Sequence, residues 1–200
     1  MKRTGLMACV AFGAIMTATA AFAEIKIGIT VSASGPGAAL GQPQLKTIAA
    51  LPAVFTHVSS VRFQDVDAAG VVFFARIFDY FHDAYVAYLA KHGLPLDRVL
   101  TSADWGLPIR HAEADYFHPM RFGDQIAVEL VGALAADSEV RIAYRIAGDS
   151  SGGSPRVLAV GHTRHVAISR SSDTPGRIAV PPALARALEP LTTAADGWSP

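Results

Sequence analysis

Cysteine is nearly absent from this chain: Cys9 stands alone among 200 residues. One thiol cannot form a disulfide within the chain, and a zinc site built on a cysteine cluster is excluded as well. An excess of charge of one sign is also absent, because 17 Lys and Arg balance 17 Asp and Glu. Proteins that bind nucleic acid through bulk charge need a basic surface, so this function is not favoured.

Long apolar runs are absent too, except at the start of the chain. Lys2 and Arg3 precede a mostly apolar, uncharged run from Gly5 to Phe22, which ends on the small-residue triad Ala21-Phe22-Ala23. These three parts predict a secretory signal peptide over residues 1–23, with an uncleaved membrane anchor as the alternative. The remaining chain is apolar enough for a buried core, since 51% of all residues are hydrophobic and 17% are charged.

Residues 24–54 are predicted to be a poorly ordered linker. Ile25 to Val31 alternates as a strand does and runs into the turn-forming cluster Ser32 to Gly37. Residues 1–52 resemble the N-terminus of substrate-binding proteins of branched-chain amino-acid transporters, but the chain is too short for that two-lobed fold. A lone strand cannot pair its own edges. We therefore expect either a fusion of two gene fragments or a mis-assigned start.

Residues 55–180 are predicted to form one α+β domain. Apolar residues recur at helical spacing from Phe74 to His92, where Gly93 fits a C-terminal cap. One early helix followed by a meander of strands predicts a five-stranded antiparallel sheet wrapped around it. Residues 181–200 are expected to be a tail with a short helix from Ala183 to Leu188. The expected strands are His57 to Phe63, Ile109 to Phe117, Gln125 to Leu134, Glu139 to Ile146 and Arg156 to Ile168.

The loop between the first strand and the helix carries the most informative motif. From Asp65 to Phe74 it runs DVDAAGVVFF, which fits the pattern D-x-D-x-x-G-(V/I)-V-aromatic. The stretches Pro108-Ile109, His118 to Asp124 and Gly161 to Val166 follow it in order. On these motifs the chain resembles the 4-hydroxybenzoyl-CoA thioesterase family, and within it the 1,4-dihydroxy-2-naphthoyl-CoA hydrolases. The resemblance implies the hotdog fold, hydrolysis of a CoA thioester without a cofactor, and a homodimer or homotetramer whose sites lie between protomers.

The resemblance makes Asp67 the catalytic carboxylate and the backbone N–H of Phe74 the oxyanion donor. A carboxylate in the loop before a buried helix can lie beside the free N–H groups of the first helical turn, which favour developing negative charge. Gly70 lets the chain turn closely there. Asp67 either attacks the thioester or activates water, and the sequence leaves both routes open. A lone Asp-x-Asp loop is otherwise a turn with capping carboxylates, the role expected for Asp65.

Substrate contacts are also expected from the resemblance. Phe73 and Val72 are predicted to border the acyl pocket. Many bacterial members have Tyr-His where this chain has two phenylalanines, a difference that favours an aromatic acyl group. The basic cluster that clamps CoA phosphates in one hydroxybenzoyl-CoA enzyme falls near residues 135–137 and is missing here. Arg164 and His165 are therefore the candidate phosphate partners.

Metal binding is not expected. The spacing of six histidines fits no metal-binding pattern on one predicted element, and a calcium site at the aspartate pair lacks further oxygen ligands. The alternative function is a non-catalytic hotdog module, exported or tethered to a membrane, that binds a small ligand. CoA thioesters are cytoplasmic, so a working signal peptide would separate an enzyme from them; the chemistry favours the cytoplasm. The six histidines considered for a metal site, of seven in the chain, are His82, His92, His111, His118, His162 and His165.

Overall fold

The computed structural model describes residues 47–148, 156–170, 176–195 and 198, all within the compact unit of residues 31–200. The predicted signal-like segment, residues 1–23, and most of the predicted linker lie outside the described residues. None of the helices in the described ranges is both long enough and apolar enough to cross a membrane.

A helical stretch at residues 47–50 is followed along the described chain by seven strands and three longer helices, with a short 3-10 turn over Phe63–Asp65. The order is β1 (Phe55–Ser60), α1 (Arg76–Lys91), α2 (Leu96–Ser102), β2 (Trp105–Gly106), β3 (Ile109–Tyr116), β4 (Gln125–Ala136), β5 (Glu139–Gly148), β6 (Arg156–Val166), β7 (Ile168–Ser169) and α3 (Pro182–Ala194).

Five of the strands form one antiparallel sheet in the order β1-β4-β5-β6-β3, and β2 pairs separately with β7. The predicted five-stranded sheet around one long helix is therefore confirmed. Its strand boundaries lie within three residues of those expected. The two short elements between α1 and β3 were not predicted, because seven residues of α2 and two of β2 are too few to show a period.

The helix α1 buries one apolar face against the sheet. Phe81 stacks on Tyr144 of β5 with ring centroids 4.5 Å apart, and Tyr88 meets Phe55 of β1 edge to face at 5.5 Å. Aromatic pairs of this kind add to the gain from burial itself. The buried positions recur every three or four residues, as an amphipathic helix requires: Ile77, Tyr80, Phe81, Ala84, Tyr85, Tyr88 and Leu89.

Two segments are more ordered than predicted. Ile48 and Leu51, in the expected linker, are 0% and 8% exposed and pack with Ala195 and Trp198 in a second apolar cluster. The C-terminal helix is longer than the short one expected. Its apolar side chains at i, i+4 and i+7 extend a buried stripe to its end, which the prediction had assigned to a fraying tail.

Gly161 of β6 marks a close approach of the sheet to α1. A Cβ atom there would lie 2.4 Å from the carbonyl oxygen of Glu113 and 2.7 Å from the ring of Phe81. We expect Gly161→Ala to lower the free energy of unfolding by about 1–3 kcal/mol through overpacking, measured by urea denaturation. Gly106→Ala is the matched control, because its nearest neighbour is the flexible side chain of Arg170 at 3.4 Å. Equal losses in the two variants would contradict this account.

Candidate active site

Residues 66–72 form a small hairpin just before α1. Val66 and Val72 make an antiparallel bridge. Within it, Asp67 N–H donates to the carbonyl of Val71, and Gly70 N–H donates to the carbonyl of Asp67, both at 2.9 Å. Gly70 has a φ of +75°, a conformation that favours glycine. The hairpin thus presents Asp67 at its exposed tip.

The carboxylate of Asp67 keeps one oxygen free. Its Oδ1 accepts a hydrogen bond from the N–H of Ala69 at 2.8 Å, which closes an Asx turn. Oδ2 accepts no hydrogen bond from any residue that the structure describes. An accessible oxygen on an oriented carboxylate can act as a nucleophile or as a general base.

A free backbone N–H lies at the start of α1. The N–H of Phe73 donates to the carbonyl of Asp65, and that of Arg76 donates to the carbonyl of Phe73, both at 2.8 Å. The N–H of Phe74 makes no hydrogen bond within the described ranges. Phe74 directly precedes Ala75, the N-cap of α1, so this N–H lies near the helix end where the partial positive charge of the helix dipole is concentrated. The geometry therefore offers an oxyanion donor close to the hairpin.

Tyr116 fixes the orientation of this turn. Its hydroxyl donates to the carbonyl of Phe74 at 2.5 Å, across 42 residues of sequence. Burial first, and the charge of Asp115 second, raise the pKa of Tyr116 to about 12. The hydroxyl therefore stays protonated at neutral pH and remains a donor. This contact was not predictable from the sequence, since it depends on how β3 lies against the start of α1.

Asp65 holds the base of the hairpin. Its carboxylate is 0% exposed and accepts from Arg62 Nε at 2.8 Å, Arg62 Nη2 at 3.1 Å and the Tyr80 hydroxyl at 2.8 Å. Burial acts to raise its pKa, but the hydrogen bonds from Arg62 and Tyr80 outweigh burial and lower it. Asp65 is thus saturated with partners and has the structural role that the sequence indicated.

A cavity of about 520 Å³ lies between α1, α2 and the start of β3. The side chain of Tyr85 is 5% exposed, and its hydroxyl makes no hydrogen bond to a described residue. Burial raises the pKa of Tyr85, so this hydroxyl is a neutral donor in a mostly apolar space. The cavity lining includes His82, Tyr85, Leu96, Val99, Trp105, Ile109 and His165.

His165 lines this cavity, and both of its ring nitrogens lie within hydrogen-bonding distance of a neighbouring residue. Nδ1 lies 3.2 Å from the carbonyl of Leu107, and Nε2 lies 2.8 Å from Thr163 Oγ1, which in turn lies 3.2 Å from the Tyr144 hydroxyl. Burial lowers the pKa of His165, against the effect of its hydrogen bond to Leu107. The neutral ring thus completes an internal chain of hydrogen bonds and has no nitrogen left for a phosphate.

Known proteins resemble this chain in sequence and in fold. A family model described as the Thioesterase-like superfamily matches residues 61–188, more than half of the chain. This chain belongs to that superfamily. The 1,4-dihydroxy-2-naphthoyl-CoA hydrolase of Rippkaea orientalis is 37% identical over 116 residues, which cover 56% of this chain and 80% of the relative. The hydrolase of the same name from Picosynechococcus sp. is 33% identical over 129 residues, covering 64% and 87%.

Solved structures agree with the sequence relatives. The 1,4-dihydroxy-2-naphthoyl-CoA thioesterase from Synechocystis superposes with a TM-score of 0.60 at 29% identity, covering 67% of this chain and 94% of that one. A 4-hydroxybenzoyl-CoA thioesterase variant with 4-hydroxybenzoyl-CoA bound has a TM-score of 0.58 at 19% identity, covers 68% and 97%, and shows the fold alone. The predicted family, the hotdog fold and the class of thioester hydrolase are thereby confirmed.

The thioesterase brings only some of its predicted site residues together. Asp67, Gly70, Phe73 and Phe74 share the hairpin and the turn after it, where the two phenylalanine rings are 43% and 50% exposed. Val72 instead packs in the core, where it is 9% exposed, and its N–H donates a hydrogen bond to the carbonyl of Met120. Arg164 and His165, neighbours on β6, point to opposite faces of the sheet. The substrate-binding roles expected for Val72 and Arg164 stay predictions, whereas a phosphate contact by His165 does not fit a ring whose two nitrogens are both engaged.

The thioesterase also gathers three side chains that the sequence left scattered. His111 Nε2 and His162 Nδ1 each lie 3.2 Å from a carboxylate oxygen of Glu113, on the sheet face opposite α1. The two histidines come from neighbouring strands, so spacing within one element could not reveal the group. Such ligand atoms can suit a metal ion. Burial lowers the pKa of His162 against the opposing charge of Glu113, and the nearby charges of Arg141 and Arg164 lower it further. These arginines disfavour a cation here.

Acid should destabilise the thioesterase through Asp65. Because its pKa is lowered by folding, its stabilising contribution is present above the ordinary value of 3.8 and is lost as the pH falls through the lower folded value. We expect Asp65→Asn to lose about 1–3 kcal/mol at neutral pH and to show a shallower acid dependence than the wild type. Urea unfolding at a series of pH values measures both. The exposed Asp97→Asn is the control, and parallel acid dependences in all three proteins would disprove the assignment.

Proposed function

We propose that the chain hydrolyses the CoA thioester of an aromatic acid to the free acid and CoA. The observation that carries this proposal is the pairing of the Asp67 carboxylate, with one free oxygen, and the unengaged N–H of Phe74 at the start of α1. The relatives named 1,4-dihydroxy-2-naphthoyl-CoA hydrolases support the aromatic acyl group. Because CoA thioesters are cytoplasmic, we further propose that the chain acts in the cytoplasm.

The chemistry follows from these two groups. The thioester carbonyl oxygen accepts a hydrogen bond from Phe74 N–H, which stabilises the negative charge that develops on attack. In one route Asp67 attacks the carbonyl carbon, the CoA thiolate leaves, and water hydrolyses the mixed anhydride. In the other route Asp67 takes a proton from water, whose oxygen attacks directly. Tyr116 acts as a positioning residue in both, because it holds the Phe74 peptide in place.

The cavity beside α1 suits an aromatic acyl group. Its volume of about 520 Å³ falls in the usual range for small-ligand sites, and its walls are mostly apolar. The Tyr85 hydroxyl supplies one hydrogen-bond donor without a partner in the described chain. A hydroxyl on the aromatic ring would satisfy it, which favours a hydroxylated aryl group over an unsubstituted fatty chain.

The cavity and the carboxylate of one chain lie too far apart to share one small acyl group. Tyr85 lies nine positions after Arg76, the first residue of α1, which is about 14 Å along the helix, and Phe74 precedes the helix. On the edge strand β3 the Tyr116 end contacts Phe74, whereas the Ile109 end lines the cavity. Antiparallel pairing of two β3 edges about a two-fold axis brings the Ile109 end of one copy beside the Tyr116 end of the other. We therefore propose a homodimer, or a tetramer of such dimers, with sites shared between protomers.

Replacement of Asp67 should abolish hydrolysis without loss of the fold. Asp67→Asn keeps the shape of the side chain and the Asx turn but removes the negative charge that attacks or accepts a proton. We expect kcat to fall at least about a thousandfold, roughly 4 kcal/mol of barrier, while the unfolding midpoint stays close to that of the wild type. The assay uses benzoyl-, 4-hydroxybenzoyl-, 1,4-dihydroxy-2-naphthoyl-, acetyl- and palmitoyl-CoA.

Asp97→Asn is the matched control, because it removes an exposed carboxylate from α2. Turnover of the aromatic thioesters by the wild type and by this control, with none by Asp67→Asn, is the expected result. Near wild-type turnover by Asp67→Asn would refute the mechanism. Absence of turnover of all five thioesters by the wild type would favour the alternative, a non-catalytic module that binds a small ligand.

A charge on the β3 edge should separate the protomers. Ile109 is 49% exposed on this edge, and Ile109→Glu places a carboxylate where two copies would meet. We expect analytical ultracentrifugation to show a shift from dimer or tetramer to a smaller species. Val58→Glu makes the same change on the other edge strand, at a residue that is 69% exposed, and should leave the mass unchanged. Dissociation by Val58→Glu alone would place the interface on β1 instead.

A further inference from the structure

Segments from both ends of the described chain cover the outer face of the sheet, the face opposite α1. Ala143 of β5 alternates with Ile142 and Tyr144, which belong to the core around α1, so its side chain points to the outer face. Together with Val131 of β4 and Val160 of β6 it forms an apolar strip across three neighbouring strands. Four apolar residues pack on this strip, and none of the seven is more than 8% exposed: Ile48, Leu51, Ala195 and Trp198.

A partly buried ion pair holds the N-terminal part of this cover in place. Nη1 of Arg145 donates to the carbonyls of Ala49 and Leu51 at 2.9 and 2.7 Å, and its Nε donates to Glu129 Oε2 at 2.6 Å. The side chains of Arg145 and Glu129 are each 15% exposed, so solvent screens the pair less than a surface ion pair. Specific hydrogen bonds from the sheet therefore fix residues 47–51 on its outer face.

The cover follows the sheet closely. A Cβ atom on Gly132 of β4 would lie 3.2 Å from the Cβ of Ala195 and 3.5 Å from a methyl group of Leu51. The ring of Trp198 lies edge to face with that of His162 on β6, with centroids 6.3 Å apart, and its backbone N–H donates to the carbonyl of Ala195. Another polypeptide cannot reach the apolar strip while residues 47–51, Ala195 and Trp198, together the cap, are in place.

Without the cap, the strip would be a surface that two copies could bury against each other. Sheets pack face to face about 10 Å apart, and a two-fold axis brings the same patch of both copies together. Exposed apolar patches of this kind promote association.

We propose that the cap closes the outer face of the sheet to a second copy of the chain. A tetramer of the proposed dimers then cannot form through this face, and assembly is restricted to strand edges and helix surfaces. The inference concerns assembly and does not depend on the thioesterase chemistry. It assigns residues 47–51 and the C-terminal segment a role in limiting the size of the assembly.

The test removes the apolar contacts of the cap without adding a charge. In the full-length double variant Ile48→Ser/Leu51→Ser, the strip loses its N-terminal cover. We expect the molar mass from sedimentation equilibrium to rise, with increasing protein concentration, to at least about twice that of the wild type. The matched control is Ala50→Ser/Ala53→Ser, which makes the same kind of change at two exposed positions of this region and should keep the wild-type mass.

A further substitution shows whether the larger species forms through the outer face. Ala143→Asp, added to Ile48→Ser/Leu51→Ser, places a charge on the uncovered strip and should restore the wild-type mass. A folded double variant with the wild-type mass would overturn the proposal, and so would larger species that persist with Ala143→Asp.

Circular dichroism establishes whether the double variant is folded. Should it fail to fold, Glu129→Gln/Arg145→Gln decides by the same comparison of masses, because it releases the carbonyls of Ala49 and Leu51 while both side chains stay polar. The masses are measured without substrate, so this outcome is separate from that of the hydrolysis assay.

Discussion

The site depends on one buried carboxylate. Asp65 is fully enclosed, and its negative charge is stabilised by Arg62 and Tyr80. Its backbone carbonyl also holds the N–H of Phe73, so one residue ties both ends of the hairpin together. Two aspartates that are two positions apart thereby acquire different properties. One is saturated with hydrogen bonds and fixes the backbone, and the other, Asp67, keeps an oxygen free for chemistry.

A second constraint is the length of β3, which separates the parts that one substrate needs. The strand contacts the turn after the hairpin at Tyr116 and lines the acyl cavity at Ile109, and the seven residue-to-residue steps between these positions correspond to roughly 23 Å. No rearrangement within one sheet can bring these ends together. The proposed two-fold pairing of this edge would resolve the problem without moving either part, and it would cover an edge strand that otherwise invites aggregation. In that proposal one interface serves both assembly and catalysis.

The sequence was sufficient to predict the features that depend on residues close together in the chain. The periodic apolar face of α1, the alternating strands and the D-x-D-x-x-G motif led to the fold and to the hairpin with Asp67. Contacts between distant segments were not predictable. Tyr116 reaches Phe74 across 42 residues, and Glu139 lies near arginines from two other strands and from the segment after β7. The packing of Ile48 on the sheet was missed for the same reason, since its partners lie near the other end of the chain.

The distribution of unsatisfied polar groups ties these observations together. Folded proteins pair almost all of their buried donors and acceptors, so a donor without a partner is informative. Two donors at the site lack a partner among the described residues: the N–H of Phe74, an exposed residue, and the hydroxyl of Tyr85, which lines the cavity. They suit, in turn, the thioester carbonyl and a ring hydroxyl of the proposed substrate. A hydroxyaryl-CoA thioester carries both acceptors on one molecule, whereas a fatty acyl-CoA lacks the second.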